Sequence, residues 1–448
     1  MKTFLNLWMP IFLSNTILML GGLFDTIFLS HFSAQHVTAM AVCLGIYSLV
    51  FVSGMGILQG MMQELAEANG RKAYLELQLI IKQSIIIVLC LSGGAAWLFT
   101  HAEPLLNVLR ADEEIRALIQ PCLVLMALTI PGHFLLRILF IYTQTCGQAK
   151  RVFYANTLYL IIKVTLAYGF IFGISVFNIP AYGVKGAFLA HLLAQWLLLV
   201  LYYFFFLEKK LSIHWLGEFF NLKILCNILS IGLPTAVVVF IDVFTISAIA
   251  LLALPLGNVI VNAHQIAMGF CGLLFMLPLS LGATFSILVS TKIGEGCVQE
   301  AWHLTRIAMK VAFVVALSAS IVVVVFHPYM LPLFSNDKDV LNVVFALVFL
   351  LCWMHVFDAI LVVSVNMLRC WKVIVFPMLV YSGMILIFGL GGGWYLAFHP
   401  VTWLGRTYDA FNIQGFWIML CVAYTLAAAI CFICLKWKHS KYFKMAQG

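Results

Sequence analysis

The sequence predicts an all-α polytopic membrane protein, with twelve transmembrane helices in two pseudo-symmetric six-helix lobes. Three observations lead there. The chain is 64% hydrophobic and 9% charged, with a mean hydropathy of +1.07, too little polar surface for a soluble protein of 448 residues. Apolar runs of about 20 residues, enough to cross a bilayer as helix, recur along the whole chain. Sliding the sequence by 224 residues brings Pro10 onto Pro234, Phe51 onto Phe275, Gly70 onto Gly294, Pro104 onto Pro328 and Cys146 onto Cys370. Proline is scarce, 12 in the chain, so matched prolines in one register mark a duplication.

The segments follow in order. The first, 7–30, outruns the apolar core of a secretory signal, lacks a small-residue cleavage site and is preceded only by Lys2. It is therefore expected to stay as a span. Segment 39–63 ends on Glu64 and Glu67, two carboxylates expected in solvent; 79–100 is uninterrupted; 117–144 holds Pro131 and Arg137. Segment 152–177 holds Lys163, and 186–207 closes the first half. In the second half, 223–254 carries Asp242, 259–291 is interrupted by Pro278, 305–326 is apolar beyond Lys310, 340–368 carries Asp358, 373–398 holds Pro377, and 414–435 is the last. Arg137 and Lys163 are expected to snorkel to the near interface. Prolines 131, 278 and 377 free carbonyls that neighbours or cavity water must satisfy, which makes their helices the expected hinges.

Six spans per half is an even number, so both halves insert the same way up, as parallel repeats about an axis along the membrane normal. The expected lobes are 1–215 and 216–448, joined through "LEKKLSIHWLGEF". Two such lobes suggest a carrier that rocks between inward-open and outward-open forms. Most of the 25 Lys and Arg fall in the loops that share a side with the termini, while the opposite loops hold Arg110, Arg116, Lys185, Lys338 and Arg406. That bias puts both termini in the cytoplasm. The basic residues are scattered among short loops, which excludes a nucleic-acid partner. The twelve cysteines lie mostly in spans and form one C-x-x-C, Cys431 and Cys434, with no second pair, so neither a disulfide framework nor a metal site is expected.

Of seventeen acidic residues, Asp25, Asp242 and Asp358 fall inside spans. A charged Asp at the centre of a transmembrane helix costs roughly 2.5 to 3.5 kcal/mol on insertion scales, so each must face a cavity, a partner or a bound cation. Burial favours the neutral acid, and that is the physical basis for coupling to protons. Fixing helix packing is the plainer role. For the uncharged polar residues Asn15, Gln144, Asn156, Asn262, His264, Gln265 and Asn366, interhelical hydrogen bonding competes with a place in the cavity or cation path.

"LSIGLPTAVVVFIDVFTISAIALL" (229–252) followed by "NAHQIAMGFCGLLFMLPLSLGATFSILVSTKIGEG" (262–296) resembles helices seven and eight of the multidrug and toxic compound extrusion family, MATE, in its NorM-type branch. "FLSNTILMLGGLFDTIFLSHF" resembles that family's first helix, "YGVKGAFLAHLLAQW" its sixth and "FDAILVVSVNMLRCW" its tenth. The resemblance implies a secondary active efflux antiporter of the bacterial cytoplasmic (inner) membrane, exporting cationic and amphipathic organic compounds in exchange for H⁺ or Na⁺, with no cofactor and no enzymatic activity. Asp25, Asp242 and Asp358 match its acidic residues in helices one, seven and ten, the last two belonging to a cation site.

Three departures qualify it. The helix-seven acid, usually Glu, is Asp242. Met354 stands one turn before Asp358, where related sequences often have Tyr, with His355 beside it as a second titrating group. "TQTCGQAKR" and "MLRCWKVIV" lack the Gly-Asp common after helices four and ten. Hard cations want oxygen ligands, so Met354 tilts the expectation to H⁺, with Na⁺ at Asp242 and Asp358 as the alternative. The expected cation-coupling residues are thus Asp242, Asp358, Asp25 and His355. The expected substrate cavity takes in Asp25, Asn15, Gln144, Asn156, Asn262 and Gln265, and the protein is expected to work as a monomer. A lipid-linked precursor flippase of the wider superfamily is the alternative, but it calls for a strongly basic cavity and only Arg137 and Lys163 are available. An intramembrane aspartyl protease would need a G-x-G-D signature, which is missing, and the duplicated plan disfavours a channel.

Overall fold

A computed structural model of the chain describes residues 2–108, 113–174, 178–207, 220–335, 337–403 and 406–447. The polar stretch 208–219, and with it the expected lobe boundary, lies outside them. Among the described residues twelve helices are long and apolar enough to cross a membrane. They are α1 (Lys2–Phe32), α2 (Ala34–Gly70), α3 (Tyr74–Thr100), α4 (Glu113–Thr145), α5 (Ala149–Phe172) and α6 (Val184–Leu201). The second half supplies α7 (Leu222–Leu252), α8 (Asn258–Gly294), α9 (Val298–Met330), α10 (Lys338–Cys370), α11 (Val375–Phe398) and α12 (Ile413–Gln447). Each coincides with one expected segment. Most run further at their ends, because a helix outlasts its apolar stretch wherever polar side chains can continue it.

The duplication is visible in the helix ends. Helices α2 and α8 are both 37 residues long and begin 224 positions apart. Both close on the same turn: Ala73 N–H donates to Ala68 O and Lys72 N–H to Asn69 O, just as Cys297 donates to Lys292 O and Gly296 to Ile293 O. The turn residue is left-handed in both, Lys72 at φ 58° and Gly296 at φ 78°. For a lysine that backbone costs roughly 1–2 kcal/mol, which glycine avoids.

Three features depart from the expectations. Pro377 stands in the first turn of α11, where its missing N–H has no helical acceptor in any case, so it does not interrupt the span. The irregularity of α11 is instead a π-helical stretch, Met384–Gly392, in a run rich in glycine. A two-stranded hairpin, β1 (Val401–Trp403) and β2 (Arg406–Tyr408), pairs Val401 with Tyr408 and Thr402 with Thr407 before α12.

By packing, the chain divides into Met1–Gly232 and Leu233–Gly448. In the first unit α4 is central, packed on α2, α3 and α6, while α5 lies between α1 and α6. In the second, α10 takes the central place, packed on α8, α9 and α12, and α11 lies along α12. The start of α7 belongs to the first unit because two glycines let backbones touch. A Cβ on Gly60 would run into the Ile228 carbonyl, and one on Gly232 into the Ile57 carbonyl.

Candidate ion and substrate sites

In the second unit, α7 carries Asp242 in a run otherwise rich in valine and isoleucine. Two phenols answer it. Tyr381 of α11 donates to Oδ1 at 2.7 Å and Tyr424 of α12 donates to the same oxygen at 3.1 Å, while the two hydroxyls lie 3.5 Å apart. Their rings stand perpendicular, 6.2 Å between centroids, and both are buried. Neither tyrosine engages Oδ2. Hydrogen bonds to a charged acceptor contribute about 1.5–3 kcal/mol each, so the pair largely offsets the cost of placing this carboxylate in a span.

Asp358 on α10 is 8% exposed, and the charge of Asp242 acts on it. Tyr381 and Tyr424 feel both acids. The structure therefore gathers Asp242 of α7 and the phenols of α11 and α12 into one hydrogen-bonded group, with Asp358 of α10 buried in the same unit and joined to it by no hydrogen bond among the described residues. No ion pair reaches either acid among the described residues. His355 lies one turn from Asp358, 3% exposed, its Nε2 without a hydrogen-bond partner. Met354 is buried beside it. The phenols of α11 and α12 are aimed at Asp242.

In the first unit Asp25 is not alone. Lys163 of α5 lies 2.5 Å from its Oδ2 and also donates to the Gly21 carbonyl at 2.5 Å, whereas Oδ1 has no partner within the protein. Lys163 is 2% exposed. The expected snorkelling is thus corrected: the ammonium turns inward because a carboxylate on the adjoining helix compensates its burial better than a long reach to the interface. Removing one member of such a pair costs about 3–5 kcal/mol, since the other is left charged and buried.

A second group of polar side chains adjoins the pair. Tyr159, one turn before Lys163, hydrogen-bonds His191 of α6, Oη to Nδ1 at 2.7 Å. The His191 ring lies 6.0 Å from that of His133 on α4, whose Nδ1 is 3.4 Å from the Tyr47 hydroxyl of α2. Phe51 packs edge-on against His133 at 4.5 Å. Asn156, two turns from Lys163 on the same buried face of α5, leaves Oδ1 unpartnered.

The remaining expected cavity residues are dispersed. Gln144 is buried at the end of α4, and Lys163 lies fourteen residues beyond the start of α5, about 21 Å along that helix. Asn15 is half-buried on α1, about 15 Å along the helix from Asp25. Asn262 and Gln265 are exposed on α8, and His264 between them turns inward, fully buried, edge-on to Trp417 at 5.9 Å. All twelve cysteines are free thiols.

Two copies of one helix plan, the first with one carboxylate inside its spans and the second with two, define a polytopic membrane transporter. The MatE family model matches residues 10–169 and again 234–393, so its two matches begin 224 residues apart, the register of the internal repeat. The chain belongs to the MatE family, whose members are transporters and not enzymes. It is similar to a probable multidrug resistance protein NorM of Pasteurella multocida, 27% identical over 443 residues covering 96% of this chain and 93% of that one. It is likewise 27% identical to the corresponding protein of Acinetobacter baylyi, covering 100% of this chain and 97% of the relative. Among solved structures, the outward-facing conformation of a multidrug resistance MATE transporter of the MOP superfamily superposes with a TM-score of 0.86 at 18% identity, over 98% of this chain and 96% of the other.

Proposed function

We propose that this chain is a multidrug efflux antiporter of a bacterial inner membrane, with both termini in the cytoplasm, exporting cationic and amphipathic organic compounds in exchange for H⁺. The observation that carries the reading is the cluster of Asp242, Asp358, Tyr381 and Tyr424. Two acids lie in separate spans of one unit, with hydroxyl donors on Asp242 and no basic partner on either among the described residues, so a cation must arrive to balance them. A ligand shifts a two-state transporter only through differential affinity, so the coupling ion works by binding this cluster in one form better than in the other. His355, one turn from Asp358, is the further titrating group. Asp25 serves the substrate side, alternating between pairing with Lys163 and a protonated state, with Asn156 two turns from Lys163 on the same buried face of α5.

Na⁺ is the second reading, favoured by one observation: two carboxylates and two phenols make the oxygen-only set that a hard cation prefers. The flippase alternative loses ground, because Lys163 is committed to Asp25. The test is reconstitution in liposomes, following ethidium movement under a pH gradient alone and then a Na⁺ gradient alone. Uptake against the ethidium gradient under either one supports the antiporter and identifies the ion. Failure of both would leave the family and remove the function.

A further inference from the structure

We propose that the last turns of α12 form a seat for the headgroups of anionic phospholipids, with Trp437, Lys436 and Lys441 as the contacting residues. The sequence sets the charge. No acidic residue follows Asp409, while Lys436, Lys438, Lys441 and Lys444 crowd into one short stretch. Like charges so close repel one another, yet α12 continues as helix through them to Gln447, because one of its faces is fastened to the protein. The indoles of Trp302, near the start of α9, and Trp371, just past α10, stack in parallel 3.7 Å apart. His439 stands edge-on to Trp302 at 5.0 Å, and its Nε2 accepts from Arg306 at 2.7 Å. Tyr442 adjoins both indoles, and Cys431 and Leu435 are buried on the same face.

The opposite face is exposed at each of Ile433, Lys436, Trp437, Ser440 and Lys441, an arc of about 140° on the helix. Along the axis these residues run in the order of a leaflet's depth. The apolar stretch 414–435 is about 33 Å long as helix, close to the thickness of the hydrocarbon core of about 30 Å. Ile433, 63% exposed, belongs to that stretch and meets acyl chains. Trp437, 61% exposed, lies one turn further, at the interface where indoles concentrate. Lys441, a turn beyond, holds its ammonium 5.3 Å above the Trp437 ring, and Lys436 holds its own 4.6 Å above Phe432. Neither lysine is in an ion pair among the described residues, so both charges are open to the phosphate layer. A second copy of this chain is the wrong occupant, because the same basic face would meet like charge. Each lysine near an anionic surface favours binding about fivefold.

The experiment places the full chain in phosphatidylcholine nanodiscs and adds phosphatidylglycerol or phosphatidylcholine with brominated acyl chains, which quench nearby indoles. Quenching of wild type less that of Trp437→Phe isolates Trp437 from the other tryptophans. Half-maximal quenching of Trp437 should need at least about fivefold less brominated phosphatidylglycerol than brominated phosphatidylcholine, and in Lys436→Gln/Lys441→Gln the two lipids should quench alike. Equal quenching by both lipids in wild type would overturn the proposal, as would an unchanged preference in the lysine variant. Absence of quenching by either lipid would also overturn it, since protein would then cover this face. If the glutamine variant unfolds at a lower temperature than wild type, Lys436→Arg/Lys441→Arg decides. It keeps both charges and should keep the preference; its loss there would remove the charge-based account.

Discussion

The two units solve the same problem in opposite ways. Each starts with a helix that carries an intramembrane carboxylate, Asp25 on α1 and Asp242 on α7. Asp25 is balanced by an internal cation, Lys163, whereas Asp242 receives two phenol hydroxyls and neither it nor Asp358 has an ion pair among the described residues. The repeat register that aligns Pro10 with Pro234 puts Ile249 opposite Asp25, Ile387 opposite Lys163, Leu18 opposite Asp242 and Phe134 opposite Asp358. Duplication has therefore kept the helix plan and discarded the chemistry. On the function proposed above, the unit whose acids lack a basic partner among the described residues is the one that takes up the coupling ion.

That contrast can be broken from either side. The largest effect should come from Lys163→Ala, which strands Asp25 uncompensated and should lower stability by about 3–5 kcal/mol. Adding Asp25→Asn should restore most of the loss, as read by thermal unfolding in detergent. Equal losses in the single and double variants would mean that the pair is incidental. Next, Tyr381→Phe and Tyr424→Phe each remove a hydrogen bond to Oδ1 and should weaken the site by about 1.5–3 kcal/mol. Tyr381→Phe should show the larger shift in the ion concentration for half-maximal transport, because its bond is the shorter. Smallest of all, Asn262→Ala and Gln265→Ala touch exposed positions and should alter stability by less than about 0.5 kcal/mol. A change confined to the range of compounds exported would place them in the cavity; a change in ion coupling would contradict the division of labour.

Much of this was legible in the sequence. Hydropathy located all twelve helices, and matched prolines revealed the repeat, because both signals are local to the chain. The three intramembrane Asp were conspicuous for the same reason: a carboxylate in an apolar run is costly wherever the helix goes. Their partners were not. Lys163 read as a snorkelling residue until its helix was seen beside α1, and Tyr381 and Tyr424 are two among 15 tyrosines until the packing of α7, α11 and α12 selects them. His191 likewise meets Tyr159 only through tertiary structure. The π-helical stretch of α11 likewise sits where glycines cluster, a pattern that reads as flexibility and does not specify a geometry.

The claim that the second unit holds the coupling ion is tested most directly by Asp242→Asn and Asp358→Asn, each reconstituted and assayed for ethidium accumulation under the gradient that drives wild type. Asparagine keeps the shape of each side chain and removes its charge, so both variants should fold, as judged by an unchanged thermal unfolding profile, and both should lose gradient-driven accumulation. Accumulation at the wild-type rate in both variants would contradict the account.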